Sequence, residues 1–265
     1  MSLLYSPIES RPELLARLYL HGVLPSLVDL LEFYAEAKAI LGDRSFVLRI
    51  RAEALISDLS FQDGACHFLK ESGLSPAIVL RFFSCRQLNR QFSGHGFTLP
   101  LPVRGAWRIG ALRTFTSLSR CLKTTLVPNF EPSGADDVLA LERYLHLSFS
   151  VALASTSVLI EHEEFAHRLF SGMEDWMVMV RVDGTDICGW VRRDGGCFEW
   201  GRGVPAGRSS AELSFRDTRV ALKALAGNFD NFAAVNEGAI RLSGFAPLAD
   251  KFGLVMDRVQ AYIDT

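Results

Sequence analysis

His162-Glu163-Glu164-Phe165-Ala166-His167 is the stretch of this 265-residue chain that comes nearest to a chemical motif, since two imidazoles flanking carboxylates are zinc-site residues. Its histidines are five residues apart rather than four. At about 100° per residue a helix turns the second imidazole off the face of the first. A solvated helix is the expectation, with Glu163-Glu164 at a helix start or on a wet face, and Asp136-Asp137 is read in the same way. His95, between Gly94 and Gly96, lacks the glycine-rich run and downstream lysine of a phosphate cradle, so it reads as a loop histidine.

The remaining nucleophile patterns are also unfilled. There is no G-x-S-x-G elbow and no local Ser-His-Asp or Cys-His grouping. Cys66, Cys85, Cys121, Cys188 and Cys197 are scattered and odd in number, without a C-x-x-C pair, which suits reduced thiols in a cytoplasm. Met1 to Pro7 lacks the basic start and long apolar stretch of a secretion signal, so export is not expected. No catalytic residue, metal ligand or cofactor is assigned, and the chain is read as a non-enzyme. An enzyme site assembled from groups distant in sequence is the third alternative; its mark would be ionisable side chains converging between two lobes.

Composition narrows the partners. Lys and Arg total 28 against 30 Asp and Glu, so no global field draws the chain to nucleic acid or an anionic membrane. The most basic neighbourhood is Arg192, Arg193, Arg202 and Arg208, among Gly201, Gly203 and Gly207. It is read as a solvated loop, with a lipid head group or an acidic partner as the functional alternative. Phenylalanine contributes 19 residues against 5 Tyr and 4 Trp, aromatic mass that suits a core or a greasy cavity. The uncharged stretch Leu145 to Ile160 is too short and too rich in hydroxyls to read as a membrane span, and a buried helix is expected.

The elements that must carry these residues occur twice. Leu80 and Phe82 match Leu213 and Phe215, and Gly94 and Gly105 match Gly227 and Gly238, all 133 residues apart. Phe46-Val47-Leu48-Arg49-Ile50 parallels Val178-Met179-Val180-Arg181-Val182 at 132, and Asp63-Gly64-Ala65-Cys66 parallels Asp194-Gly195-Gly196-Cys197 at 131. Ordered matches with so little drift indicate a tandem duplication. The Pro-, Gly- and Asp-rich stretch 128–137 is the divider, giving domains 1–130 and 136–265.

Each copy opens with helical periodicity, over 12–41 (kinked at Pro25) and about 136–173. Alternating strands follow at 46–51 and 178–183, with one apolar and one charged face. The Asp-Gly turns predict hairpins joining 54–61 to 65–70 and 186–192 to 197–201. A further strand ends in a helix capped by Ser84 (with Gln87) or Asp217 and stopped near Gly94 or Gly227. A last strand after Gly105 or Gly238, carrying Trp107 and Ile109 or Ile240 and Leu242, leads to terminal helices at 112–126 and 247–263. The fold class is α+β: two tandem domains, each a mostly antiparallel five-stranded sheet with helices on one face.

The second copy resembles the sterol carrier protein 2 lipid-binding family. The resemblance is carried by Ala211-Glu212-Leu213-Ser214-Phe215-Arg216-Asp217-Thr218, Ala224-Leu225-Ala226-Gly227, Asn228-Phe229-Asp230-Asn231-Phe232-Ala233-Ala234 and Gly238-Ala239-Ile240-Arg241-Leu242-Ser243-Gly244. It implies helices over one face of a twisted sheet, with an apolar tunnel between the layers for acyl chains, sterols or isoprenoids. The residues falling on the elements that would bound that tunnel are Phe215, Leu225, Phe229, Phe232, Ile240, Leu242, Phe252, Leu254, Val255 and Met256. The first copy departs from the pattern: Ser84 replaces the helix-leading Asp, and Pro100 and Pro102 stand where a short second helix belongs. The expected function is non-catalytic carriage of a hydrophobic small molecule by the second copy, with transient membrane contact. The alternative is an accessory or scaffold protein that uses the same fold to bind a lipid- or quinone-metabolising enzyme.

Overall fold

The computed structural model describes residues 11–69, 75–94, 100–127, 135–226 and 231–263, with side chains at 135–137, 231–233 and 263 outside that description. The chain divides into two compact units, one of them Ser10–Asn129 and the other containing Phe130–Thr265. Among the described residues each unit holds a five-stranded sheet with helices, which is the α+β class expected.

In the first unit, α1 (Pro12–Arg17) runs into a π-helical turn (Leu18–Val23), a 3-10 turn at Leu24–Ser26 and then α2 (Leu27–Phe33). Proline at position 25 has no amide to donate, so the regular ladder fails where the sequence places it. A short α3 (Ala35–Leu41) precedes β1 (Phe46–Ala52), β2 (Leu55–Gln62), β3 (Ala65–Leu69) and β4 (Ile78–Phe82). After α4 (Cys85–Ser93), β5 (Leu101–Arg104) closes the sheet and α5 (Ile109–Leu126) ends the unit. The second unit has α6 (Ala135–His162), α7 (Glu164–Phe170), β6 (Trp176–Val182), β7 (Cys188–Asp194), β8 (Cys197–Arg202) and β9 (Ala211–Phe215). It finishes with α8 (Thr218–Leu225), α9 (Asn231–Asn236), β10 (Ile240–Gly244) and α10 (Ala246–Ile263).

The strand orders are β3-β2-β1-β4-β5 and β8-β7-β6-β9-β10, one topology used twice. Neighbours pair antiparallel except β1 with β4 and β6 with β9, which are parallel. In each sheet alternate residues of the central strand, Phe46, Leu48, Ile50 and Ala52 or Trp176, Val178, Val180 and Val182, are buried on one face. The opposite face of the second sheet carries ion pairs from Arg181 to Asp183 and Glu212, and from Arg241 to Asp183. In the first sheet Arg49 holds Asp58 in two 2.7 Å bonds, and the aspartate is fully buried beneath it.

Pairing corrects the repeat register in three places. Ile50 lies against Leu80 and Val180 against Leu213, so the first strands correspond at 130 residues rather than 132. Because the slip is even, the buried face survives it. The hairpin turns are Asp63-Gly64 (φ 52° and 75°) and Gly195-Gly196 (φ 57° and 86°), the second one residue later than expected. That odd slip separates Cys66, buried on the inner face, from Cys197, exposed on the outer one, so these cysteines are not equivalent. The third correction concerns the last strand of the first unit, which precedes Gly105 instead of following it. Trp107 lies in a turn and Ile109 begins α5, both exposed.

The caps are as expected. The Gln87 amide donates to Ser84 Oγ at 3.2 Å, and the Gln87 side chain returns to accept from the Phe83 amide at 2.7 Å. The Val220 amide donates to Asp217 Oδ1 at 2.9 Å, and Gly94 ends α4 in the left-handed region. Gly227 and His95 lie outside the described residues. The Asp217 carboxyl is held below the usual aspartate range: partial burial opposes ionisation, but amide donors and Arg216 outweigh it. Its stabilising effect is therefore full above the unfolded value of about 3.9 and fades as pH falls through the lower folded value. Asp217→Ala is expected to cost about 1 kcal/mol at pH 7 in urea denaturation and progressively less as pH falls through the folded value, while Asp217→Asn, also a good cap, should cost less than Ala at pH 7.

Candidate functional site

The inner face of the second sheet is assembled by register. Phe215 is paired with Ile240 and with Val182, and Leu213 with Leu242 and Val180, so all six side chains point to the helix layer. Over them α10 lays Leu248, Phe252, Val255, Val259 and Tyr262, spaced three and four apart and buried. Phe149 of α6 meets Phe215 edge-on, with centroids 6.0 Å apart.

The predicted tunnel residues divide accordingly. Phe215, Ile240, Phe252 and Val255 are sealed inside this layer. Leu225, Leu242 and Met256 are half-buried at its border. Leu254 is half-buried too, but sits on the side of α10 shared with Lys251 and Arg258, which reach Met173 and Glu163. It is turned away from Phe252 and Val255. Phe229 lies outside the described residues, as does the side chain of Phe232 on α9.

Glu164 begins α7 on an exposed face and Glu163 stands just before it, the expected helix start, but Glu163 itself is not solvated. Between α6 and α7 its backbone is extended (φ −89°, ψ 128°), and its carboxylate is fully buried. It accepts from Arg258 Nε at 3.0 and 3.1 Å, from a second guanidinium nitrogen, and from the Tyr262 hydroxyl at 2.7 Å. The guanidinium also stacks 4.6 Å from the Phe165 centroid. Burial alone would pull the Arg258 pKa down, yet hydrogen bonding and the charge of Glu163 hold it above the ordinary arginine value. This cluster fastens α10 to the α6–α7 break. Sequence reasoning missed it because its members are 95 and 99 residues apart and nothing local marks them as partners.

The histidines of the same stretch do not meet. His162 pairs with Glu161 at 3.6 Å and His167 Nδ1 lies 3.2 Å from the Ile160 carbonyl. Among the described residues no cluster of three or more His, Cys, Asp or Glu is placed to hold a metal. Burial pushes the Cys66 thiol up to about 12, and burial with the Glu53 carboxylate pushes Cys85 up to about 11, opposite to the direction of an activated nucleophile.

The basic neighbourhood also separates. Arg192 and Arg193 alternate across β7. Arg192 forks onto Glu199 at 2.6 and 2.9 Å and lies 5.1 Å from the Trp190 centroid on the outer face. Arg193 faces inward and donates to the Met173 carbonyl. Arg202 and Arg208 are exposed, but Arg193 is turned to the inner face and Arg192 to the outer one, so the four arginines do not share one face.

The fold and this layer define an α+β protein of two units sharing one strand order, the second with an apolar sheet face closed by its C-terminal helix. No protein-family model matches the chain, and no curated protein matches it. A solved structure described as "UbiJ-SCP2 Ubiquinone synthesis protein" is similar over 43% of this chain and 95% of its own, with 13% identity and a TM-score of 0.34.

Proposed function

We propose that the chain is a sterol-carrier-like tandem whose second unit binds a hydrophobic small molecule, an acyl, sterol-like or isoprenoid lipid, and carries or presents it without chemistry in the cytoplasm. The observation that supports this is the border of the second layer. There Leu225, Leu242 and Met256 leave apolar surface only partly covered, beside the stretch of the inner face formed by Phe215, Ile240, Leu213 and their paired neighbours Val180 and Val182. Covering such surface with a lipid contributes about 25 cal/mol per Å², the driving force a carrier needs.

Native mass spectrometry of untreated protein is expected to show a co-purifying lipid near one per chain. Leu242→Glu with Met256→Glu should abolish it while leaving the circular dichroism spectrum unchanged, because neither side chain is fully buried. Protein that carries no lipid, and takes none up from mixed vesicles, would defeat the reading.

One observation favours the accessory role. Leu101, Val103, Trp107 and Ile109 are all exposed along or just after β5, whose outer edge has no strand partner among the described residues. An enzyme acting on lipid or quinone substrates is the partner this reading takes. Trp107→Ser would then release the enzyme without changing lipid content.

A further inference from the structure

Trp176 and Arg193 are directly opposed in the β6–β7 ladder, so their side chains rise from the same inner face with Cβ atoms about 5 Å apart. Trp176 is only 5% exposed, and its indole Nε1 has no hydrogen-bond partner. The Nε of Arg193 is also buried without a partner. The rest of that guanidinium has non-acidic neighbours: it donates to the Met173 carbonyl and lies 6.0 Å from the Phe198 centroid.

Aromatic rings wall the corner. Trp176 stands 5.0 Å from Phe170 and 6.3 Å from Phe198, measured between centroids. Among the described residues no carboxylate is paired with Arg193. The adjacent Asp175 is engaged elsewhere, accepting from the Gly195 amide at 3.0 Å. Lys251 of α10 adds a second cation at the border, 3.7 Å from the sulfur of Met173.

A half-buried cation without a counter-ion and a buried N–H without an acceptor are each unfavourable, and here they are neighbours. Both are donors, and an oxyanion is the kind of acceptor each lacks. We propose that this corner is the head-group site for a carboxylate-bearing amphiphile. Arg193 Nε supplies a charge-assisted bond, Trp176 Nε1 a second bond, and Phe170 and Phe198 flank the carbons next to the carboxylate. The assignment rests on the reading of the second unit as an apolar-ligand binder, and it names the ligand class: an amphiphile with an acidic head rather than a sterol alcohol or a hydrocarbon.

The test is calorimetric titration of delipidated full-length protein with decanoate and, separately, decanol at pH 7.5. The acid is expected to bind roughly tenfold or more tightly than the alcohol. Arg193→Gln should erase that preference while leaving decanol affinity within about twofold, and Trp176→Phe, which keeps a ring but loses the donor, should reduce it severalfold. A purely structural role for either residue would move both ligands together. If acid and alcohol bind equally to wild type, or if the preference survives in Trp176→Phe and in folded Arg193→Gln, the head-group site is wrong and the apolar reading stands. If neither ligand binds, both are wrong.

Discussion

Arg258→Leu is expected to lower the unfolding free energy of the second unit by about 3–5 kcal/mol, because it leaves a fully buried carboxylate with no counter-charge. The loss is not that of one ion pair on a surface. Glu163 has been taken out of water entirely, and the Tyr262 hydroxyl alone cannot replace the forked guanidinium that holds it. Urea denaturation followed by circular dichroism reads the effect as a lower midpoint. The same physics gives the control: Glu163→Leu with Arg258→Leu removes both charges, so the double variant should recover most of the stability lost by Arg258→Leu alone. If the double variant is no more stable than the single, the Glu163 charge is not what makes the single unstable. Since Arg258 and Tyr262 both belong to α10, the single variant should also loosen that helix over the sheet, seen as faster amide exchange from Ala246 to Tyr262 than in α6.

The second large effect is expected at two glycines that occupy the same place in the two units. Gly105 (φ 75°) follows β5, and a Cβ there would lie 2.3 Å from the Ala77 carbonyl oxygen. Gly244 (φ 79°) ends β10, with the Ser210 oxygen 2.4 Å from the same imagined atom. Those oxygens belong to backbone at the start of β4 and β9, so they cannot swing aside as a side chain would. Alanine at either site meets positive φ and a main-chain collision together, and about 2–4 kcal/mol should be lost. Gly238 supplies the comparison: it also has positive φ (66°), but nothing lies within 4 Å of an added Cβ, so Gly238→Ala should cost only about 1 kcal/mol. Thermal unfolding of the three variants orders them. A Gly238→Ala loss equal to that of Gly244→Ala would show that the close approach contributes nothing.

That comparison also marks how far the sequence could be read. Constant spacing matches Gly105 to Gly238, yet the structure matches it to Gly244, 139 residues on. The intervening strand comes before the glycine in the first unit, where Pro102 sits in an edge strand that tolerates a missing donor. Similarity along the chain reports residue types, whereas equivalence in a sheet is set by which backbone lies alongside. The cysteines show the same limit: Cys66 and Cys197 look alike in their turns, but a one-residue difference in turn position puts them on opposite faces.

Of the candidate site, the strand residues Phe215, Ile240 and Leu242 were legible because alternation has a period of two and a paired register preserves it. Helix α10 was legible only in part. Phe252 and Val255 share its buried face, while Leu254, chosen with them for its apolarity, falls on the side that faces Met173 and Glu163. Hydrophobic character alone does not distinguish the faces of a helix with apolar residues at 252, 254, 255 and 256.

The amino-acid sequence by itself determined the local matters: the caps at Ser84 and Asp217, the break near Pro25, the hairpins, and the alternation that makes two α+β sheets. These depend on interactions within a few residues, which spacing and residue type describe to within a residue: the second hairpin turns at Gly195-Gly196 rather than Asp194-Gly195. Only the tertiary structure decided that Glu163 is buried against Arg258 and Tyr262, and that Arg192 and Arg193 part company across β7 while Arg193 meets Trp176. The reason is physical: the cost of burying a charge or a donor depends on which distant groups the folded chain brings beside it.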